Sequence, residues 1–272
     1  LPNVTASIIA KNGDGKKRKN HPTNSGNNGY RGYETKSKRA YPCSGVCKRQ
    51  AVIRCGDQGA CKEIHRKVGG VMSDYFYDYE YDNTCCYPSS NVLINKLNIK
   101  DADGLHEAER SITALRILEL KQAHPAGKLD FNYYKKLHLY IFQDIYSWAG
   151  KTRTVNISKG TQFCLFQYLD EQADDLFRKL EKENFLIDTT ENIADRLAFY
   201  LSELNAIHPF REGNGRTQRM FIEILADRAG YEVDFSDVTA DEMIEASYES
   251  FHRNYDKLNS LMRRITSEKQ PI

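Results

Sequence analysis

No stretch of 18 consecutive apolar residues occurs in this chain, so no segment of it reads as a membrane-spanning helix. Leu1 to Asn12 lack the charged start and long apolar run of a secretory signal, and no such signal is expected. Cysteine is present, but not as Cys-x2-Cys pairs. Cys43, Cys47, Cys55, Cys61 and then His65 are separated by three, seven, five and three residues, a weak zinc signal. Cys85 and Cys86 are adjacent and cannot easily bridge each other. With Cys164 they make no disulfide framework, so a reducing cytoplasm is the expected compartment. There is no internal repeat at a period of 20–50 residues. Net charge is nearly absent too, at +2 over 272 residues.

That small charge conceals two unlike parts. Residues 1–71 carry nine Lys and six Arg against two Asp and two Glu, whereas residues 72–272 carry 24 basic and 33 acidic residues. The first part also holds ten of the 17 Gly, and Asn12 to Tyr33 contains almost no large apolar residue. It can bury too little apolar area to offset backbone entropy, and it reads as a basic low-complexity tail, largely disordered. Other readings stay open for it: a metal site on the four Cys, a basic nucleic-acid-binding arm, or translated DNA upstream of a start at Met72. The last rests on the abrupt composition shift at Met72 and on Lys67 to Val71, whose codons can contain a purine-rich ribosome-binding sequence. A Lys/Arg cluster alone is sequence-independent electrostatics, and no nucleic-acid partner is expected.

Residues 72–272 form the second unit, and their periodicity is mostly helical. Helices are expected over Leu105 to Leu120, Phe131 to Tyr146 and Phe166 to Phe185. Thr190 can cap a fourth, with an apolar ridge at Ile193, Leu197, Leu201 and Leu204. A fifth spans about Arg216 to Ala229, and a sixth starts near Ala240 and runs past Leu258. Between them, Thr152 to Phe166 alternates Val155 and Ile157, turns near Lys159-Gly160 and resumes at Phe163 and Leu165, which is a β-hairpin pattern. The expected fold is all-α with one small hairpin.

The most informative segment runs from His208 to Arg219, reading His-Pro-Phe-Arg-Glu-Gly-Asn-Gly-Arg-Thr-Gln-Arg. Pro209 stops the fourth helix at His208. Gly213-Asn214-Gly215 then opens the next helix, where free N–H groups and the positive dipole end make a nest for phosphates. Arg216 and Arg219, three apart on one face, can hold further phosphate oxygens. Glu212 beside an anion site makes sense if a cation, naturally Mg2+, sits between them. His208 is the group that can take a proton near neutral pH. Each feature alone has an ordinary reading: a helix cap, a turn, a pair of solvated arginines. Their coincidence within 12 residues at a helix junction is what points to chemistry.

These residues match all nine specified positions of the Fic-domain signature: His-Pro-Phe, any residue, Asp or Glu, Gly-Asn-Gly-Arg, two residues, Arg. The chain resembles that family, in particular bacterial Fic toxins and related effectors, over most of residues 85–260. Tyr146 to Gly150, Arg153 and Asn156 to Gly160 resemble the stretch leading into the family's flap hairpin. The resemblance implies a Fic-type helical bundle with a core at about residues 106–230. It implies a protein adenylyltransferase that moves AMP from ATP to a Ser, Thr or Tyr hydroxyl of a target protein. In that reading His208 is the general base and Glu212 holds Mg2+. Gly213, Asn214 and Gly215 form the anion hole, and Arg216 and Arg219 orient the outer phosphates. The hairpin at Lys159 and Gly160 covers the nucleotide and pairs with the target by strand addition. Gly215 favours AMP transfer, because relatives that use ATP as a phosphoryl donor depart from the pattern there. Trp148 reads as core.

Many Fic proteins carry an inhibitory helix with Ser or Thr, three residues, Glu, then Gly or Asn. Here Glu183-Asn184, Glu191-Asn192 and Glu212-Gly213 are preceded, four residues before each Glu, by Lys179, Ile187 and His208. The expectation is inhibition in trans by a small antitoxin, as in toxin–antitoxin pairs whose targets are type II topoisomerase subunits. A host-directed effector, transfer of another phosphate-linked group and an idle nucleotide-binding interaction module stay open.

Overall fold

The computed structural model describes residues 78–79, 85–159, 161–187, 189 and 191–269. The expectations for the tail, for Cys43, Cys47, Cys55, Cys61 and His65, for Met72, for the Thr190 cap and for Gly160 lie outside the described residues.

Seven α-helices make up most of the described chain: α1 Ala102–Gln122, α2 Phe131–Phe142, α3 Leu169–Lys182, α4 Ile193–Ile207, α5 Asn214–Arg228, α6 Ala240–Phe251 and α7 Asp256–Ile265. Side-chain oxygens of Asp101, Asp130 and Thr239 cap α1, α2 and α6 by accepting from Gly104, Tyr133 and Glu242 N–H groups. The centre is α4 and α5. Eleven of the 15 residues of α4 are buried, including Leu197, Tyr200, Leu204 and Ile207. A helix apolar nearly all round must be covered on every side. Here α3, α5, α6 and α7 cover it, while α2 packs on the other face of α5 and α1 packs on α2. The rings of Tyr134, Phe177, Phe210 and Phe221 meet where α2, α3 and α5 converge, with centroids 5.4–5.8 Å apart.

Three expected helices end differently. The second stops at Phe142 rather than Tyr146, because Lys96 takes the carbonyls beyond it: its ammonium donates to Gln143 O at 2.6 Å and its backbone N–H to Ile145 O at 2.7 Å. The third begins as a 3-10 turn, Phe166–Tyr168, and ends at Lys182, because Asn184, Phe185 and Leu186 all take positive φ. The sixth divides into α6 and α7. Arg253 adopts φ 69° and the chain closes α6 with a Schellman pair, Asn254 N–H to Glu249 O and Arg253 N–H to Ser250 O. Neither Gly nor Pro marks that break.

The hairpin is present in minimal form. β2 (Ile157–Ser158) turns back through the bridge from Ser158 to Gln162, and Phe163 N–H donates to Ile157 O at 3.3 Å. Its outer edge is taken by β1 (Asp78–Tyr79), antiparallel, with Asp78 opposite Ser158 and Tyr79 opposite Ile157. A second ribbon, β3 (Tyr231–Val233) with β4 (Thr266–Glu268), follows α5 and α7 and has no counterpart in the sequence reading. Among the described residues no helix is long and apolar enough to cross a membrane, and no disulfide joins Cys85, Cys86 and Cys164.

Candidate functional site

The site lies at the junction of α4 and α5. His208 caps α4 in the left-handed region at φ 47°, a conformation that costs a non-Gly residue energy and tends to be kept for function. Its N–H still closes the helix onto Leu204 O, and its side chain is 4% exposed. Nδ1 faces the carbonyl of Asn205 at 3.2 Å, and a carbonyl can only accept. The proton therefore sits on Nδ1, and Nε2 carries the lone pair. Burial first, and then the Arg153 charge, push the imidazole down to about 3, so it is neutral at physiological pH. The Phe163 ring from the hairpin lies flat on it, with centroids 3.9 Å apart at 14°.

Arg153 joins the hairpin base to this loop. It is 5% exposed and donates to the carbonyls of His208 (2.8 Å), Val155 (2.6 Å), Cys164 and Ile207, while its own N–H reaches Pro209 O. His138 of α2 holds the other side. Gly150 N–H donates to His138 Nδ1 at 2.8 Å, so Nε2 carries the proton and donates to Glu212 O at 2.9 Å. Burial pushes this histidine down to about 3 as well. Its ring stacks on Phe210 at 3.8 Å and Phe142 at 4.6 Å.

Beyond Phe210 the chain makes the phosphate-type nest. Gly213 takes φ 81°, and α5 starts with no side-chain cap on its first N–H groups. A Cβ on Gly213 would stand under 3.0 Å from the Phe142 ring, so that glycine is required by the fold. A Cβ on Gly215 would meet only Arg219 Nη1, at 3.4 Å; this face is open toward a ligand. Asn214 contributes backbone only, because its side chain clasps Phe210 through both N–H and C=O at 2.9 and 2.7 Å. Arg219 has no ion-pair partner among the described residues. Burial, and then the neighbouring Arg216, hold it below its ordinary value. With Arg216, Lys121, Glu223 and Phe235 it lines a cavity of about 240 Å³.

Glu212 accepts from Gly213 N–H at 2.8 Å and lies 3.5 Å from Arg216. Burial, and then the charge of Glu109, push its carboxyl up. Lys159 stands close enough for Glu212 to favour its charged form, though burial lowers its basicity overall. Among the described residues no three His, Cys, Asp or Glu side chains cluster as a closed metal cage. One carboxylate beside a phosphate nest fits Mg2+, which keeps waters and takes phosphate oxygens rather than a full protein shell.

The structure thus sets Lys159 near both His208 and Glu212, Glu212 beside Gly213 and Arg216, and Arg219 beside Arg216 and Gly215, while Asn214 opens α5. Sequence reasoning missed Glu109, Thr113 and His138 as members of the site, and Phe163 and Arg153 as its walls. Two of these carried a signal. His138 interrupts the apolar face Tyr134–Leu137–Ile141, and Glu109 stands on the buried face of α1 between Leu105 and Thr113.

The comparisons agree with this geometry. The Fic/DOC family model matches residues 128–226. The chain is 40% identical to the probable protein adenylyltransferase y4lH of Sinorhizobium fredii, covering 68% of this chain and 96% of that protein. It is 41% identical over 184 residues to the protein adenylyltransferase VbhT of Bartonella schoenbuchensis, but spans only 38% of that relative's length and 66% of its own. The N-terminal Fic domain of a VirB-translocated Bep effector from Bartonella quintana, solved with bound ADP, superposes with TM-score 0.64 at 30% identity, over 68% of this chain and 95% of that one. With a signature matched at every specified position and a relative covered almost end to end, the chain belongs to the Fic/DOC family.

Proposed function

We propose that this protein is a protein adenylyltransferase that moves AMP from ATP to a hydroxyl of a target protein. The observation that carries the reading is a neutral, buried His208, with its lone pair on Nε2, at the mouth of an uncapped helix N-terminus. In the reaction His208 Nε2 takes the proton of a Ser, Thr or Tyr hydroxyl. The oxygen forms a bond to the α-phosphorus, the bond to the bridging oxygen breaks, and pyrophosphate leaves. The first-turn N–H groups of α5 and the Arg219 guanidinium hold phosphate oxygens, and Arg216 and Arg219 border one cavity with Lys121. Mg2+, held by Glu212, would neutralise phosphate charge when bound. Lys159 and Phe163 on the hairpin limit water access beside His208. The target would lie along this hairpin.

The regulatory reading is a cytoplasmic toxin inhibited in trans by a small antitoxin, with a type II topoisomerase subunit as target. It is supported by the Lys, Ile and His found where an internal inhibitory helix would need Ser or Thr. The Bartonella quintana effector, described as VirB-translocated, supports a host-directed role as the second reading. Incubation of the purified chain with bacterial lysate tests the activity. Label from α-labelled ATP should enter a protein band with the wild type and not with His208→Ala. Label entering only from γ-labelled ATP would overturn the assignment.

A further inference from the structure

Glu109 stands on α1 and is 7% exposed, yet both of its carboxylate oxygens are engaged at the site. Oε1 pairs with Nη2 of Arg216, and Oε2 accepts from the Tyr146 hydroxyl. Thr113, one turn further along α1, donates to Glu109 O at 2.7 Å and accepts from Arg216 Nη1 at 3.1 Å. The Arg216 guanidinium also lies over the Phe142 ring, 4.7 Å from its centroid. These contacts fix where Arg216 points. Its sequence neighbour at i−4 is Glu212, and opposite charges at that spacing ordinarily pair. Here the same Nη2 stands 3.5 Å from Glu212 Oε1 and closer to Glu109. Two carboxylates contend for one guanidinium, and the one outside the motif has the tighter hold.

We propose that Glu109 is a positioning residue that draws Arg216 toward itself, keeps its ion pair with Glu212 long and so leaves the Glu212 carboxylate available to a divalent cation. The inference deepens the proposed AMP transfer and rests on it for the cation's purpose. Arg216 already pairs loosely with Glu212 at 3.5 Å, and without the Glu109 charge nothing would hold that ion pair at its present length. The tightened pair then competes with the cation for the same oxygen. Tyr146 acts one step further back, by orienting Glu109.

The test is a calorimetric titration of Mg2+ into the full chain saturated with the non-hydrolysable analogue AMPPNP. For Glu109→Gln the half-saturating Mg2+ concentration should rise roughly tenfold, in line with the usual effect of removing a partner behind a metal ligand. AMP transfer at saturating Mg2+ should fall by less than about threefold, because the loss is of cation affinity rather than of transition-state contacts. Tyr146→Phe keeps the ring that stacks on Trp148 at 4.3 Å and removes only the hydroxyl. It should move the Mg2+ midpoint in the same direction by less. Trp148 is the chain's one tryptophan, so its emission reports whether that stack survives in each variant. An unchanged Mg2+ midpoint in a folded Glu109→Gln chain overturns the proposal, as does an equal fall in transfer at every Mg2+ concentration. Should Glu109→Gln not fold, an unchanged midpoint in Tyr146→Phe overturns it alone. Wild-type protein that binds Mg2+ and AMPPNP but transfers nothing would instead count against the proposed activity and leave the titration readable.

Discussion

Gly213 and Gly215 stand two residues apart at the start of α5, yet alanine should do opposite things at the two positions. At Gly213 the backbone sits at φ 81°, which costs a residue with a Cβ about 1 kcal/mol or more. The added Cβ would also stand under 3.0 Å from three atoms of the Phe142 ring. Phe142 is fully buried and has nowhere simple to go, since it packs against His138 and beneath Arg216. Overpacking of that kind costs about 1–3 kcal/mol. Gly213→Ala should therefore lose about 2–4 kcal/mol of folding stability. Gly215 is in the first turn of α5, has no positive φ, and would place its Cβ 3.4 Å from the flexible end of Arg219. Gly215→Ala should be neutral or stabilising by up to about 1 kcal/mol, because alanine restricts the unfolded chain. Its cost should fall on ligand binding, because the methyl group fills the cradle between the helix N-terminus and Arg219. Urea unfolding followed by circular dichroism gives the first quantity, and AMPPNP titration gives the second. A Gly213→Ala chain within about 0.5 kcal/mol of wild type, or a Gly215→Ala chain that binds AMPPNP normally, would refute the division of labour drawn here.

Stability should fall steeply with acid. His138 and His208 are both held near 3 when folded, against about 6.5 unfolded. The unfolded chain binds more protons between those values, so their contribution is fully present above about pH 6.5 and is lost as pH falls below it. The slope approaches about 1.4 kcal/mol per pH unit for each histidine, and a urea midpoint that stays flat from pH 6.5 to 4.5 would contradict it. Arg153→Met should cost at least about 2 kcal/mol, because it strips donors from the buried carbonyls of His208, Val155 and Cys164. It should also lower kcat by releasing the His208 loop, and thermal unfolding with single-turnover transfer checks both. Proline at both Asp78 and Tyr79 removes the N–H donors of β1 and should free the hairpin edge at β2. Initial transfer to an added protein substrate should then rise; a fall would mean that β1 supports the hairpin rather than competing for it.

Much of the fold was legible because helical periodicity is local. The buried ridge of α4 and the Gly-rich opening of α5 can be read straight from residue spacing. What escaped depends on distant partners. The end of α2 is set by Lys96, which lies 47 residues before Gln143, and the α6–α7 break rests on a strained Arg253 that resembles a helical residue. The β3–β4 ribbon joins segments separated by two helices and is too short to show a period. At the site, the contiguous motif declared itself, while Glu109, Thr113 and His138 did not. They lie up to about a hundred residues upstream and touch the motif only once α1 and α2 have packed. A polar residue on an otherwise apolar helix face was the one local clue they gave.

Everything proposed for this site turns on transfer of AMP with His208 as base. The most direct measurement uses ATP labelled distinguishably at the α and γ phosphates in one reaction with target-containing lysate. The modified protein should carry α label alone, γ label should appear in released pyrophosphate, and His208→Ala should give neither product. Protein carrying γ label, or undiminished α transfer by His208→Ala, would contradict it.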